Sequence, residues 1–352
     1  MNKYWSNITN QIEPYVCGEQ PQDKKYIKLN TNESPYGPSP KVIEAINKCT
    51  NDDLRLYPDP NCQRLKSAAA KYYNLKADQI FVGNGSDEVL AFSFLAFFNP
   101  DNPIIFPDIS YSFYPVYGEL YNINYKQIPL SEDFSITPED YSCENGGVVI
   151  PNPNAPTGRY LEIKEIKKIL DSNIEKVVII DEAYIDFGGE SAVSIVNDYP
   201  NLLVIQTMSK SRCLAGMRIG IAMGQKHLID ALERIKNSFN SYTVDRLAAA
   251  AGEAALLDKQ YLKECTSKII NTRENVINQL KELDFDIIPS KTNFIFAKHR
   301  KVSGNELFMK LKEKAVLVRH FNKPRIKDYL RITIGSDHDM KMVIERLKEI
   351  LS

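Results

Sequence analysis

With 352 residues, 43% of them hydrophobic, the chain can fill a large core and exceeds the usual length of one domain. Its 44 lysines and arginines nearly balance 45 aspartates and glutamates, which leaves no electrostatic case for a nucleic-acid binder. No apolar run reaches the ~18 residues of a membrane span, the N-terminus lacks the basic-then-apolar order of a secretory signal, and six scattered cysteines and four histidines show no metal spacing. A cytoplasmic globular protein with reduced thiols and no membrane partner is expected.

Residues 1–30 hold prolines and few periodic apolar positions, so they are expected to form an arm over the smaller domain or a partner subunit. From there to about residue 245, short β-branched runs alternate with amphipathic stretches. Strands are expected at 80–82, 104–106, 148–150, 177–180, 203–205 and 218–222, with helices beginning near Pro40, Asn61, Ser86, Tyr111, Glu162 and Gln225. Strands apolar throughout fit a sheet covered on both faces, and strand–helix repetition predicts an α/β open sheet, mostly parallel.

After Ser241 the character changes. An alanine-rich helix over 244–257 and a second over 261–283 lead into a strand at 293–297, a helix at 304–314, strands at 315–319 and 329–334, and a last helix at 340–351. The expected division is an arm (1–30), a large α/β domain (31–245), and an interdomain helix with a small α+β domain (246–352).

In an open parallel sheet ligands bind beyond the carboxyl ends of the strands, and five such ends carry polar residues. GNGSDE over 83–88 offers a tight glycine turn opening a helix, suited to a phosphate or to plain capping by Ser86 or Asp87. Tyr111 follows the second strand, as a core aromatic or a platform for a planar ligand. The turn PNPNAPTG over 151–158 presents Asn154. Asp181 stands directly behind four β-branched residues, where a carboxylate needs a cation or donors. Lys210 stands past the fifth strand. A pyridine ring with a phosphate arm and an aldehyde would use all five, which describes pyridoxal phosphate.

At these blocks the chain resembles the fold-type I aminotransferases, in their histidinol-phosphate branch. The resemblance covers nearly the whole chain: IEPY ending at Tyr15, KLNTNESPYGPSP from Lys28 to Pro40, Tyr57-Pro58-Asp59, the 83–88 and 151–158 turns, DEAY at 181–184, SKSRCLAGMR at 209–218, VRHFNK at 318–323 and LRITIG at 330–335. DEAY and SK are shared widely in the fold type; the opening and closing blocks point to the branch. Ser34 stands where the family more often has asparagine.

The resemblance implies a mostly parallel seven-stranded sheet between helices, plus a smaller C-terminal α+β domain. It makes Lys210 the lysine that holds the cofactor aldehyde and Asp181 the partner of the pyridine nitrogen. Tyr111 would stack on the ring, and Asn154 and Tyr184 would bond its phenolic oxygen. Gly85, Ser86, Asp87 (through its backbone N–H), Ser209 and Arg218 would grip the phosphate, with Tyr57 reaching it from the partner of a homodimer. Arg319 and Arg331 would clamp an anionic substrate group, with Tyr15, Asn32 and Asn154 nearby. The implied reaction exchanges an amino group between glutamate with 2-oxoglutarate and imidazole-acetol phosphate with histidinol phosphate. Aromatic aminotransferases and threonine-phosphate decarboxylases share the cofactor blocks.

Overall fold

A computed structural model describes residues 2–352. Thirteen strands are seen among them: β1 (Ile27–Lys28), β2 (Ile80–Asn84), β3 (Ile104–Pro107), β4 (Tyr125–Ile128), β5 (Val148–Pro151), β6 (Val178–Asp181), β7 (Leu202–Thr207), β8 (Ile219–Gly224), β9 (Phe285–Ile288), β10 (Phe294–His299), β11 (Val316–Leu317), β12 (Arg319–His320) and β13 (Tyr329–Thr333).

The large sheet has seven strands in the order β2-β8-β7-β6-β5-β3-β4. It is parallel from β7 to β4, and β8 runs antiparallel to both its neighbours. Successive side chains on these strands enter two different cores. Val148, Ile150, Val178, Ile180, Leu202 and Val204 join one apolar cluster, while Val149, Ile179, Leu203 and Ile205 join the other. Burial on both faces is why these segments read as unbroken apolar runs. The helices obey the same demand. Ile163–Ser172 buries Ile166, Ile169 and Leu170 on one stripe, whereas Gly85–Phe97, apolar nearly all round after its first turn, buries Val89, Leu90, Phe92 and Phe94 and leaves Leu95 exposed.

The C-terminal part is an antiparallel sheet in the order β12-β13-β10-β9, packed with helices Lys259–Glu282, Gly304–Glu313 and Asp337–Leu351 around its own core. The expected single strand over 315–319 is two. β11 pairs in parallel with β1 from the N-terminal arm, and β12 pairs with β13. The expected strand at 218–222 starts one residue later, because Arg218 sits in the left-handed region at φ 51°. The arm is tied to the C-terminal part by the β1–β11 pairing, a Lys312–Glu19 ion pair and a bond from Arg319 to the Val16 carbonyl. Among the described residues no helix is long and apolar enough to cross a membrane, and no group of three or more His, Cys, Asp or Glu could hold a metal.

Candidate active site

The C-terminal ends of β3, β5, β6 and β7 open on a cavity of about 460 Å³. Its wall includes Tyr15, Asn32, Ser86, Asp87, Tyr111, Asp181, Tyr184, Ser209, Lys210, Arg218, Arg319 and Arg331, so twelve side chains expected at the site meet there. Residues separated by more than 300 positions converge because β7 delivers Lys210 from the large sheet while β12 and β13 deliver the two arginines.

Asp181 is the last residue of β6 and is buried. Its carboxylate accepts the Tyr114 hydroxyl at 2.8 Å and the Ala183 N–H at 3.3 Å, and no cation pairs with it. Burial pushes its pKa up to about 6, against the two hydrogen bonds, which favour the charged form. Lys210 donates from Nζ to the Thr31 carbonyl at 3.0 Å and has no carboxylate partner. Burial, and then the Arg331 charge, lower its pKa to about 8. An ammonium and a carboxylate are therefore both held in one cavity without counterions. Such a pair fits a ligand bringing a cationic ring N–H to Asp181 and an electrophile to Lys210.

At the other end, Gly85 opens helix Gly85–Phe97 at φ +80°, where a Cβ would run into the Arg218 guanidinium. Arg218 pairs with the Asp87 carboxylate at 2.9 Å, and Tyr111 donates to the same carboxylate at 2.8 Å. Asp87 thus acts through its side chain as well as offering its helix N-terminal N–H. Ser209 is buried, its hydroxyl bonded to Thr207 at 2.9 Å. Helix start, two hydroxyls and a guanidinium together make an anion cradle.

Asn32, at φ 57°, donates to the Tyr184 hydroxyl at 2.9 Å and is fixed by Thr333 and Asn293. It therefore also orients Tyr184. Tyr15 stacks on Phe113 with ring centres 4.4 Å apart, walling one side. Arg331 donates to the Asn30 carbonyl at 2.9 Å, but its buried Nε has no partner. Arg319 donates only to the Val16 carbonyl. Phe321 lies between them, with its ring centre 5.7 Å from the Arg319 guanidinium carbon and 5.6 Å from that of Arg331.

Two expected residues stand apart. Asn154 is buried beside the cavity; its Nδ2 is committed to the Ile109 carbonyl and Thr157 hydroxyl, and its Oδ1 has no partner. Donation to a ligand requires Nδ2 to release Thr157. Tyr57 is 80% exposed and stacks on Tyr242, away from this chain's own cavity. Tyr114 was not among the expected site residues, and Thr31 and Phe321 lay in the family-like blocks without a role; the aromatics Tyr111, Phe113 and Tyr114 behind a strand were the available signal for the first.

Residues 24–347 match the family described as Aminotransferase class I and II. The chain is 61% identical over all 352 residues to a histidinol-phosphate aminotransferase of Clostridium botulinum, covering 99% of that protein. It is 55% identical, again over its full length, to one of Clostridium beijerinckii, covering 98%. Among solved structures, the histidinol-phosphate aminotransferase of Sinorhizobium meliloti in complex with pyridoxal-5′-phosphate superposes with a TM-score of 0.90 at 23% identity, over 100% of this chain and 98% of that one. At that identity the likeness shows the fold.

Proposed function

Because the chain belongs to the histidinol-phosphate aminotransferase branch of the class I and II aminotransferases, we propose that it moves an amino group between L-glutamate and imidazole-acetol phosphate, giving 2-oxoglutarate and L-histidinol phosphate for histidine biosynthesis. The observation that carries the phosphate-bearing substrate is the pair Arg319 and Arg331, uncompensated and on the same cavity as Lys210.

When bound, pyridoxal 5′-phosphate supplies an aldehyde that captures amines and a protonated ring that takes up the electron pair left by the α-proton. Lys210 would carry the proton from the substrate α-carbon to the carbon that bore the cofactor aldehyde, and back in the opposite half-reaction; its lowered pKa keeps free amine accessible near neutral pH. Asp181 would hold the ring nitrogen protonated, and in that pairing its carboxylate would keep the charge that burial disfavours. Tyr111 supports the ring face. Tyr184 and Asn154 hold the phenolic oxygen, Asn154 by turning one N–H from Thr157. Ser86, Ser209, Arg218 and the N–H groups of Gly85 and Asp87 take the phosphate.

Arg319 and Arg331 clamp the substrate phosphate in one half-reaction and a glutamate carboxylate in the other, since a guanidinium fork suits either anion. Tyr15 and Asn32 complete that wall. The proposed division is an arm (1–30), a large domain (31–245) and an interdomain helix with a small domain (246–352). Two separate apolar cores support a large and a small domain, with Ala248, Ala251, Ala255 and Leu256 at the start of the last segment buried in the large-domain core and Leu29 of the arm in the small-domain core. A homodimer is supported by the exposure of Tyr57, which would reach the phosphate of the partner's site. Free cysteines and the absence of any long apolar helix among the described residues support a cytoplasmic setting.

The test is a steady-state comparison of histidinol phosphate, histidinol, phenylalanine and threonine phosphate, with product analysis. Histidinol phosphate should be preferred over histidinol by orders of magnitude, because without the phosphate a charged clamp stays unpaired. Equal efficiency with phenylalanine, or CO₂ from threonine phosphate, would replace the reading with an aromatic aminotransferase or a decarboxylase.

A further inference from the structure

The short helix Phe113–Leu120 carries two tyrosines three residues apart, which places both on one face. Each hydroxyl ends on a different side of the cavity. Tyr114 donates to Oδ2 of Asp181 at 2.8 Å, at the ring-nitrogen end. Tyr117 donates to the Asp87 carbonyl at 2.9 Å, in the first turn of the helix at the phosphate end.

We propose that Tyr114 is a positioning residue for the amino-transfer chemistry, its hydroxyl fixing the Asp181 carboxylate in orientation and charge so that it faces the ring nitrogen. This rests on the reading of Asp181 given above. Three observations support it. Tyr114 is fully buried, and its hydroxyl is the sole side-chain donor to Asp181. Its ring is fixed by Phe94, Phe106 and the edge of Tyr111, at centre distances of 6.4, 5.6 and 5.7 Å, so the hydroxyl is held in place by packing. Burial and the adjacent carboxylate raise its own pKa well above the ordinary tyrosine range, so it remains a donor at every working pH.

The direction of its effect follows from the groups around Asp181. Those felt by the carboxylate are Tyr114, the Ala183 N–H, and Asp87 from the start of helix Gly85–Phe97. Tyr117 and Tyr184 also sense its charge. Asp87 and burial favour the protonated acid; Tyr114 and Ala183 oppose them. Removing the Tyr114 hydroxyl leaves the backbone N–H alone on the opposing side, so the acid form gains.

The experiment uses the full chain, loaded and cofactor-free, with Tyr114→Phe, Tyr117→Phe, Asp181→Asn and the double variant Tyr114→Phe/Asp181→Asn. In cofactor-free protein, infrared titration with ¹³C-labelled aspartate reads Asp181 directly, its band assigned by loss in Asp181→Asn. Tyr114→Phe should raise that midpoint by about one pH unit, and Tyr117→Phe should leave it in place. In loaded protein, Tyr114→Phe should lower kcat about tenfold at unchanged KM, and the same change should have no further effect in the Asp181→Asn background. An unmoved Asp181 midpoint would overturn the proposal. So would an equal shift from Tyr117→Phe, or an undiminished loss of kcat in the Asp181→Asn background, because either would mark a packing defect. The cofactor-free titration reads the pair itself, so failure of the chain to link cofactor at Lys210 would count against the proposed reaction and leave the pair standing.

Discussion

Arg319 and Arg331 stand directly opposite each other on the antiparallel strands β12 and β13, a cross-strand pair of like charges. Such a pair is destabilising by up to about 1 kcal/mol relative to neutral partners, and no carboxylate of the described residues neutralises either one. Burial and the Arg319 charge both push the Arg331 pKa down. A bound dianion would reverse the sign of that interaction, so function and fold stability oppose each other here.

Arg319→Gln is therefore expected to stabilise the ligand-free protein by a few tenths of a kcal/mol while raising KM for histidinol phosphate. Arg331→Lys should lower kcat/KM for that substrate ~100-fold, because an ammonium cannot reproduce the fork. Steady-state kinetics checks the KM and kcat/KM changes, and calorimetric melting of cofactor-loaded protein, whose own phosphate then fills the cradle around Arg218, with and without inorganic phosphate checks the clamp. Phosphate should raise the melting temperature of the wild type and have a much smaller effect on Arg331→Lys. Equal stabilisation of the two proteins would remove Arg331 from the clamp.

The pH dependence of cofactor capture follows from Lys210. With a pKa of about 8, the free-amine fraction should rise about fivefold between pH 7 and 8 and level off above pH 9. Stopped-flow absorbance on cofactor-free protein, mixed with pyridoxal phosphate, measures this rate. Borohydride reduction should fix the adduct on Lys210, and peptide mass spectrometry locating it elsewhere would discard the assignment. The same lowered pKa bears on stability. Between about pH 8 and 10.4 the unfolded chain binds more protons at this residue, so its contribution to stability rises with pH across that window.

How much of this was visible in the sequence depends on the residue. The strands of the large sheet were legible because burial on both faces leaves an unbroken apolar signature, as in Val178 to Ile180. β4 was not, because an edge strand exposes Lys126 and Gln127 and loses that signature. β11 and β12 read as one strand because their residues run on without a break while their partners differ: β11 pairs with Ile27 and Lys28 of the distant arm, β12 with the nearby Leu330 and Arg331. Asp181 and Lys210 drew notice because each is a charged residue directly behind an apolar strand, whereas Tyr15, Asn32, Ser209, Arg218, Arg319 and Arg331 were indicated by the family resemblance. Tyr114 escaped for the opposite reason: an aromatic residue at a helix start looks like core, and its hydroxyl matters only through Asp181, 67 positions later.

Asp181 and its neighbour Glu182 predict a second pH effect. Burial raises Asp181 to about 6 and Glu182 to about 7, Glu182 being held by Ser191, the Ala192 N–H and Gln206 with no cation. Between the unfolded values near pH 4 and these raised values the folded chain binds more protons. Stability of the cofactor-free protein should thus fall as pH rises from about 4 to 7 on their account. Bound cofactor supplies a cation to Asp181 alone. The gap in melting temperature between loaded and cofactor-free protein should widen from pH 5 to pH 7, and the widening should disappear in Asp181→Asn. A gap independent of pH would deny Asp181 the ring-nitrogen role. Asp181→Ala should also slow α-proton removal by orders of magnitude in a single turnover.

The last expectation concerns the second subunit. Tyr57 lies in the segment between helices Pro40–Cys49 and Gln63–Tyr73, exposed, stacked on Tyr242 at 4.7 Å, with its carbonyl accepting from Arg246. Its ring is presented outward, and nearby Leu54, Leu56 and Tyr242 are exposed as well, an apolar stretch suited to burial against another copy. If Tyr57 completes the phosphate cradle of the partner, a Tyr57→Ala protomer lacks nothing in its own lysine site, and a Lys210→Ala protomer lacks nothing in the tyrosine it donates. Each homodimer should be impaired: Lys210→Ala inactive, Tyr57→Ala weakened in cofactor binding by about tenfold, the scale of one lost hydrogen bond to a charged group. Mixed and allowed to exchange subunits, the two should form hybrids with one intact site and one doubly defective site. Activity at limiting cofactor should then rise above that of either parent, towards half the wild-type value per hybrid. Sedimentation of the mixture establishes the dimer, and the complementation assay establishes the exchange of residues. An active monomer at assay concentration, or a mixture no more active than the average of its parents, would return Tyr57 to the surface of its own chain.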